Sequence, residues 1–134
     1  MIGEEQPHLT DQHGDAGLRW LLDRRERWDL TDSELACLLG VPTNRLLSWK
    51  DQVASAELVP LPSEVLERIG LLLGLHKGLV NLTPTGQESM AVEWFQKPVD
   101  LWGLDGESIR SFLLKDPRTS ELIQMVQRIK SAAL

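Results

Sequence analysis

The stretch Thr31-Asp-Ser-Glu-Leu-Ala-Cys-Leu-Leu-Gly40-Val-Pro-Thr-Asn-Arg-Leu-Leu-Ser-Trp49 constrains this chain more than any other. Thr31 and Glu34 stand three residues apart ahead of an apolar run, the spacing of a capping box, and predict a helix starting at Asp32. Ala36 falls where a crossing helix needs room. Gly40 follows four residues later, where the backbone must turn through a left-handed conformation that only glycine takes without strain. Val41 is placed to fill the corner, Pro42 ends the turn, and Thr43 or Pro42 caps a second helix. Leu46, Leu47 and Trp49 form the inner face of that helix. Two helices joined this tightly read as a helix-turn-helix, whose second helix enters a DNA major groove. Any short αα-hairpin also wants a small residue and a glycine there, so a purely packing role stays open.

If the second helix does enter a groove, Thr43, Asn44, Arg45 and Ser48 face the bases and Lys50 lies near phosphate. Asn suits adenine and Arg suits guanine by paired hydrogen bonds. The alternative is that these are solvated polar residues on an exposed helix face. Charge argues for that alternative. From Met1 to Leu75 seven basic residues face thirteen acidic ones, which is the whole net charge of −6. Phosphate contact ordinarily needs a basic face. Glu4, Glu5, Asp11 and Asp15 belong to or border an expected N-terminal tail, and Arg24, Arg25 and Arg27 cluster just before the motif. DNA binding would therefore lean on dimerisation or on a basic partner.

The rest of the chain reads as all-α. Its 134 residues, 42% apolar and 25% charged, suit one domain or two small ones in an ordinary water-soluble chain. Residues 1–14 are polar and read as a flexible tail. Residues 15–80 read as the helix-turn-helix domain with a dimerisation helix, and 81–134 as a second small helical domain. Asp15 is placed to cap a first helix running to about Trp28, with Leu18, Leu21, Leu22 and Trp28 as its apolar stripe. Pro-Leu-Pro at 60–62 is extended, and Ser63 then caps a long helix to about Leu79. A turn at Thr83–Gly86 precedes a helix to Lys97 that Pro98 brings to an end. Leu101-Trp-Gly-Leu-Asp-Gly106 makes a compact loop, followed by a short helix from about Glu107 to Lys115. Asp116 and Pro117 open a final helix whose stripe is Leu122, Val126, Ile129 and Ala133.

Two patterns in these segments point to packing or to partners. Gly70, Gly74 and Gly78 recur every fourth residue of the long helix, although a glycine inside a helix costs up to about 1 kcal/mol. Something must approach that face closely, either another helix of the same chain or a partner subunit. Leu71, Leu72, Leu73 and Leu75 nearly encircle the same helix, so Gly70, Leu71, Gly74 and Leu75 are candidate dimerisation residues. A central helix within one domain is the alternative. In the last third, Val99, Leu101, Trp102 and Leu104 are more bulky groups than a short loop hides by itself. Such groups mark partner surfaces, or else Trp102 plugs the domain's own core. The thin Ser131–Leu134 end, with Arg128 and Lys130 beside it, could enter a cleft.

The order of several short motifs resembles the Xre/MbcA/ParS family of antitoxins. The carrying residues are Leu-Leu-Gly-Val-Pro at 38–42 with Trp49, then Glu67-Arg68-Ile69 through Leu71-Leu72-Leu73-Gly74-Leu75. Ala91-Val-Glu-Trp94-Phe95, Lys97-Pro98, Leu104-Asp-Gly-Glu-Ser108 and the closing helix through Val126 and Arg128-Ile129 follow. The resemblance implies an N-terminal Xre-like helix-turn-helix followed by a small helical toxin-binding domain. It also implies a RES-domain toxin that consumes NAD as partner, held by Trp94, Leu101, Trp102, Leu104, Arg128, Lys130 and Leu134, and repression of the chain's own operon. The chain departs from the family pattern at Ser108-Ile109, where the family usually has a proline, and at Asp116-Pro117-Arg118, where its last helix tends to follow a glycine. The usual closing glycine is also missing.

The expected chemistry is binding, with no catalysis, cofactor or metal. His8, His13 and His76 are far apart and none has metal-ligand spacing with Asp, Glu or Cys. The recurring glycines lie inside a helix, not in a phosphate-binding loop after a strand. Glu64 with Glu67, and Asp105 with Glu107, read as capping and surface residues. Cys37 is the only cysteine, which excludes an intrachain disulfide and fits a reducing cytoplasm. The N-terminus lacks the basic end and apolar core of a signal peptide, and no apolar run is long enough to span a bilayer. A cytoplasmic, dimeric antitoxin without membrane contact is the expectation. A plain transcriptional regulator, or a helical adaptor that does not touch DNA, is the alternative.

Overall fold

The structure, a computed structural model, describes residues 14–87 and 89–132. The expected tail up to His13 and the site residue Leu134 lie outside them. Seven helices and no strand occur among the described residues: α1 (14–24), α2 (Asp32–Leu39), α3 (Thr43–Ala54), α4 (Ser63–Asn81), α5 (Ser89–Gln96), α6 (Ile109–Lys115) and α7 (Thr119–Ala132). The fold is all-α, as expected. No described helix is long and apolar enough to cross a membrane.

Contacts divide the chain into two units. One takes the residues up to Glu26 with Leu30–Gly70, and the other takes Arg27–Asp29 with Leu71–Leu134. The boundary between these units falls inside α4, whose second half packs on α7. A Cβ at Gly78 would stand 2.9 Å from Ile129 Cγ2, and one at Gly74 would stand 3.7 Å from Val126 Cγ1. The glycine face is therefore taken by a helix of the same chain. Gly74 and Leu75, expected at a dimer interface, are used inside this unit, where Leu75 is fully buried. Gly70 differs, since nothing lies within 4 Å of its missing side chain. Leu71 is half-buried.

In the first unit α2 and α3 are joined as their residues dictate. The Thr31 hydroxyl accepts from the Glu34 amide while the Glu34 carboxylate accepts from the Thr31 amide, closing the capping box. At the other end Gly40 takes φ 74°, and its N–H reaches the Cys37 carbonyl. The Val41 N–H reaches Ala36, which completes a Schellman turn. Arg68 of α4 donates to the Leu38 carbonyl at 3.0 Å, placing a cation at the negative end of α2. Leu46 and Trp49 of α3 are buried. Leu47, expected on the inner face, is 43% exposed, because the α3 helix turns it away from Leu46 and Trp49.

Several expected helix ends move. α1 stops at residue 24, and Trp28 leaves its stripe to stack on Phe95 in the second unit, centroids 4.6 Å apart. Gln96 and Arg110 hold that segment by donating to the carbonyls of Arg27 and Asp29. Asp15 caps nothing. It takes Arg19 Nε at 2.7 Å and the Val59 amide at 3.3 Å instead. The Pro62 carbonyl, not Ser63, stands at the cap position of α4, accepting from Val65 and Leu66. Asp116 is drawn into a two-point pair with Arg118, so α7 begins later, at Thr119.

Gly70 and Gly78 of α4 give a test. Alanine at either gains helix propensity, about 1 kcal/mol, but at Gly78 its methyl presses on a branched side chain in a packed core. Overpacking of that kind costs roughly 1–3 kcal/mol. Gly70→Ala should raise the thermal midpoint, and Gly78→Ala should leave it equal or lower. Equal gains at both positions would contradict the close approach of α7.

Candidate functional site

The residues expected to meet DNA do not form one surface. Asn44, Arg45 and Ser48 are exposed on α3 and Thr43 is half-buried. Asp51, one turn beyond Leu47, brings a negative charge to the same outward side. Lys50 is turned to the flank, where its ammonium takes both oxygens of Asp32 at 3.0 and 3.2 Å. Arg25 adds Nε at 3.2 Å to the same carboxylate. The other cations of this unit are also engaged: Arg19 with Asp15, Arg24 over the Trp20 ring at 5.0 Å, Arg68 with Leu38. Arg45 is the one cation of the first unit for which no contact is seen among the described residues. Asp32, which gathers two cations from sequence positions 7 and 18 residues away, was not legible beforehand, because nothing in the spacing marks it.

In the second unit Trp94, Trp102 and Arg128, from three different elements, are brought together. On α5, Ala91 and Phe95 are fully buried, which leaves Trp94 at the edge of the buried face, half-exposed. Pro98 then stops the helix. The loop that follows is closed by a single antiparallel bridge between Val99 and Glu107, with the Val99 amide 3.1 Å from the Glu107 carbonyl. Trp102, Gly103, Asp105 and Gly106 all take positive φ, between 51° and 89°. This tight path brings the Trp102 ring edge-on to Trp94, with centroids 5.6 Å apart at 64°, a favoured aromatic geometry.

The Trp94–Trp102 pair forms a ridge bordered by two grooves. One is mainly apolar, lined by Met90, Glu93, Trp94, Lys97, Pro98 and Val99. The other is lined by Trp102 with the side chains of Gln124, Gln127, Arg128 and Ser131. Leu101 projects beside the ridge, 47% exposed. Leu104 does not. At 2% exposure it is core, anchoring the loop from beneath, which corrects its expected place in a contact surface. Arg128 donates from Nη1 to the Trp102 carbonyl at 2.9 Å, and Lys130 is exposed further along α7. Met90, Gln124 and Gln127 join the site without having been singled out. The fourfold spacing of Gln124 and Arg128 on one helix face was the available signal.

The loop's far end is held electrostatically. Ser108 caps α6 by accepting from the Ser111 amide, and the Lys115 ammonium meets the Glu107 carboxylate at 2.6 Å. That hydrogen bond, with the lysine's charge and the Ser111 hydroxyl, holds the Glu107 carboxyl below its ordinary pKa against the opposing cost of desolvation. Among the described residues no group of His, Cys, Asp and Glu could hold a metal ion.

Comparison with protein-family models, with curated proteins and with solved structures finds no match in any of the three.

Because the folded pKa of Glu107 is depressed, its pairing contributes to stability above the ordinary value near 4.5 and is lost as pH falls through the lowered one. Lys115→Ala should return the Glu107 titration toward 4.5 when followed by carboxyl NMR. An unmoved titration would assign the depression to the Ser111 hydroxyl instead.

Proposed function

We propose that this chain is an antitoxin that binds and neutralises a RES-domain, NAD-consuming toxin through α5, the 98–107 loop and α7. The observation that carries the reading is the Trp94–Trp102 ridge, half-exposed between two grooves with Leu101 open beside it. Tryptophans presented on a rigid support are the residues that most often dominate protein–protein affinity. The buried Leu104 and the Val99–Glu107 bridge provide that support. The order of motifs from Leu38 to Ile129 that resembles the Xre/MbcA/ParS antitoxins supplies the class of partner. On this reading Lys130 and the exposed end of α7 are the segment that enters the toxin's active site.

A second reading, repression of the chain's own operon, is supported by the local geometry of α2 and α3: a boxed start, a Schellman turn and a polar outer face with Asn44, Arg45 and Ser48. It would make the first unit an Xre-like helix-turn-helix. Charge sets its terms. With Lys50 and Arg25 committed to Asp32, one chain offers few phosphate contacts, so the DNA-binding form would be a homodimer. Gly70 and Leu71, rather than Gly74 and Leu75, remain for a second copy to meet. An adaptor that has lost DNA altogether is the competing reading.

Co-expression with the product of the neighbouring reading frame tests the first proposal. That product should be toxic alone and should co-purify with this chain. Trp94→Ala and Leu101→Asp should each weaken the complex by about 2 kcal/mol or more, with helicity unchanged. Full affinity in both variants would remove the ridge from the interface.

The repressor reading has its own measurement. Arg45→Ala should weaken a salt-sensitive mobility shift on upstream DNA by about 1–3 kcal/mol. A wild-type chain that shifts no upstream fragment at any salt concentration would favour the adaptor.

A further inference from the structure

In the loop between α5 and α6 one residue, Trp102, holds a conformation that its type does not prefer. Trp102 sits at φ 56°, a left-handed conformation that is an outlier for a bulky side chain. Gly103 follows at 74°, then Asp105 at 51° and Gly106 at 89°. Such a path persists only where the surroundings over-determine it. The Val99–Glu107 bridge closes the loop's base, and the Leu104 amide donates to the Leu101 carbonyl at 3.0 Å across Trp102 and Gly103. At the tip the carbonyl of Trp102 accepts from Arg128 Nη1 at 2.9 Å.

Three features mark that bond as a clamp rather than a casual contact. The guanidinium is itself held on α7, with Nη2 3.3 Å from Gln124 Oε1 one turn earlier. It pairs with no carboxylate among the described residues, so its bond to the loop competes with no ion pair. Gly103 leaves room for it: a Cβ there would stand 3.1 Å from Nη1. The glycine thus serves both the positive φ and the approach of the arginine. Ile129, the next residue, is fully buried and packs at Gly78, which fixes the stretch of α7 from which Arg128 reaches.

We propose that Arg128 is the positioning residue of the two-tryptophan ridge: from α7 it holds the left-handed turn at Trp102 and so presents the ridge in its binding shape before any partner arrives. A partner then meets a preformed surface and does not have to order the loop. Without the clamp only a fraction of chains has Trp102 against Trp94, and apparent affinity falls by that fraction. Arg128 acts through Trp102 and need not touch the partner. The positioning role stands on the free chain alone, while its effect on affinity rests on the antitoxin reading.

Two contacting indoles produce a far-ultraviolet exciton couplet in circular dichroism, which reports the ridge in the free full-length chain. Trp94→Phe should abolish the couplet and so identify its source. Arg128→Met keeps the length of the stem and removes every donor. It should strongly reduce the couplet while leaving helicity intact, and Arg128→Lys should restore part of it. Gly103→Ala, which crowds the guanidinium, should weaken the couplet by a second route should the methionine variant fail to fold. With the co-expressed toxin, a couplet reduced to a tenth should accompany about tenfold weaker binding. An undiminished couplet in Arg128→Met, or in Gly103→Ala where the first does not fold, overturns the proposal. A lost couplet with unchanged toxin affinity supports the clamp and overturns the ridge as the toxin surface.

Discussion

The close approach of α7 to the second half of α4 is the constraint on which the placing of the two tryptophans depends. Gly78 removes a side chain where Ile129 must sit, and Gly74 does the same more loosely for Val126. A helix accepts the propensity cost of glycine when the gain is contact with a packed neighbour. Once α7 is seated there, the direction of Arg128 is no longer free. Its guanidinium arrives at the Trp102 carbonyl, and the turn at the tip of the 98–107 loop is held in a conformation that tryptophan does not prefer. A small-residue face inside one helix thus decides how an aromatic ridge on another element is displayed.

The same unit shows why Leu104 and Leu101 differ although they flank one short turn. The loop needs an apolar anchor, and Leu104 supplies it at 2% exposure. Leu101, on the outer side of the turn, has no such place and stays open. Trp102 lies between these extremes, with its edge against Trp94 and part of its surface on the groove it shares with Gln124 and Arg128. Burial and display are divided within four residues by backbone path alone.

In the first unit electrostatics is spent on internal order. Asp32 serves both Lys50 and Arg25, joining α3 to the start of α2 and to the turn after α1. Arg68 closes the C-terminal end of α2, and Arg19 reaches Asp15 and two carbonyls. Partly exposed pairs of this kind contribute modestly to stability. Their consequence for recognition is larger, because a cation held by a carboxylate is a weaker partner for phosphate. An outward α3 face carrying Leu47 and Asp51 beside Asn44 and Ser48 is mixed in character. The net acidity of this half of the chain is therefore organised and not merely a matter of composition.

Local chemistry by itself determined a good deal of this protein. The capping box at Thr31 and Glu34, the left-handed turn at Gly40 and the Ser108 cap each depend on neighbours a few residues apart, and each forms as the residues require. The all-α class follows from apolar spacing in the same way, and excess bulk marked the 98–107 loop, though not the contact of Trp102 with Trp94. Tertiary structure decided what spacing cannot encode. Whether the glycine face of α4 receives a helix of its own chain or another chain depends on where α7 returns. Whether Trp28 ends a helix or stacks on Phe95 depends on an element 67 residues later. Lys50 looked available to phosphate until Asp32, 18 positions earlier, came within 3.0 Å of it. Short-range hydrogen bonds and steric preferences are written in adjacent residues, whereas partners brought together by packing are fixed only when the whole chain has closed.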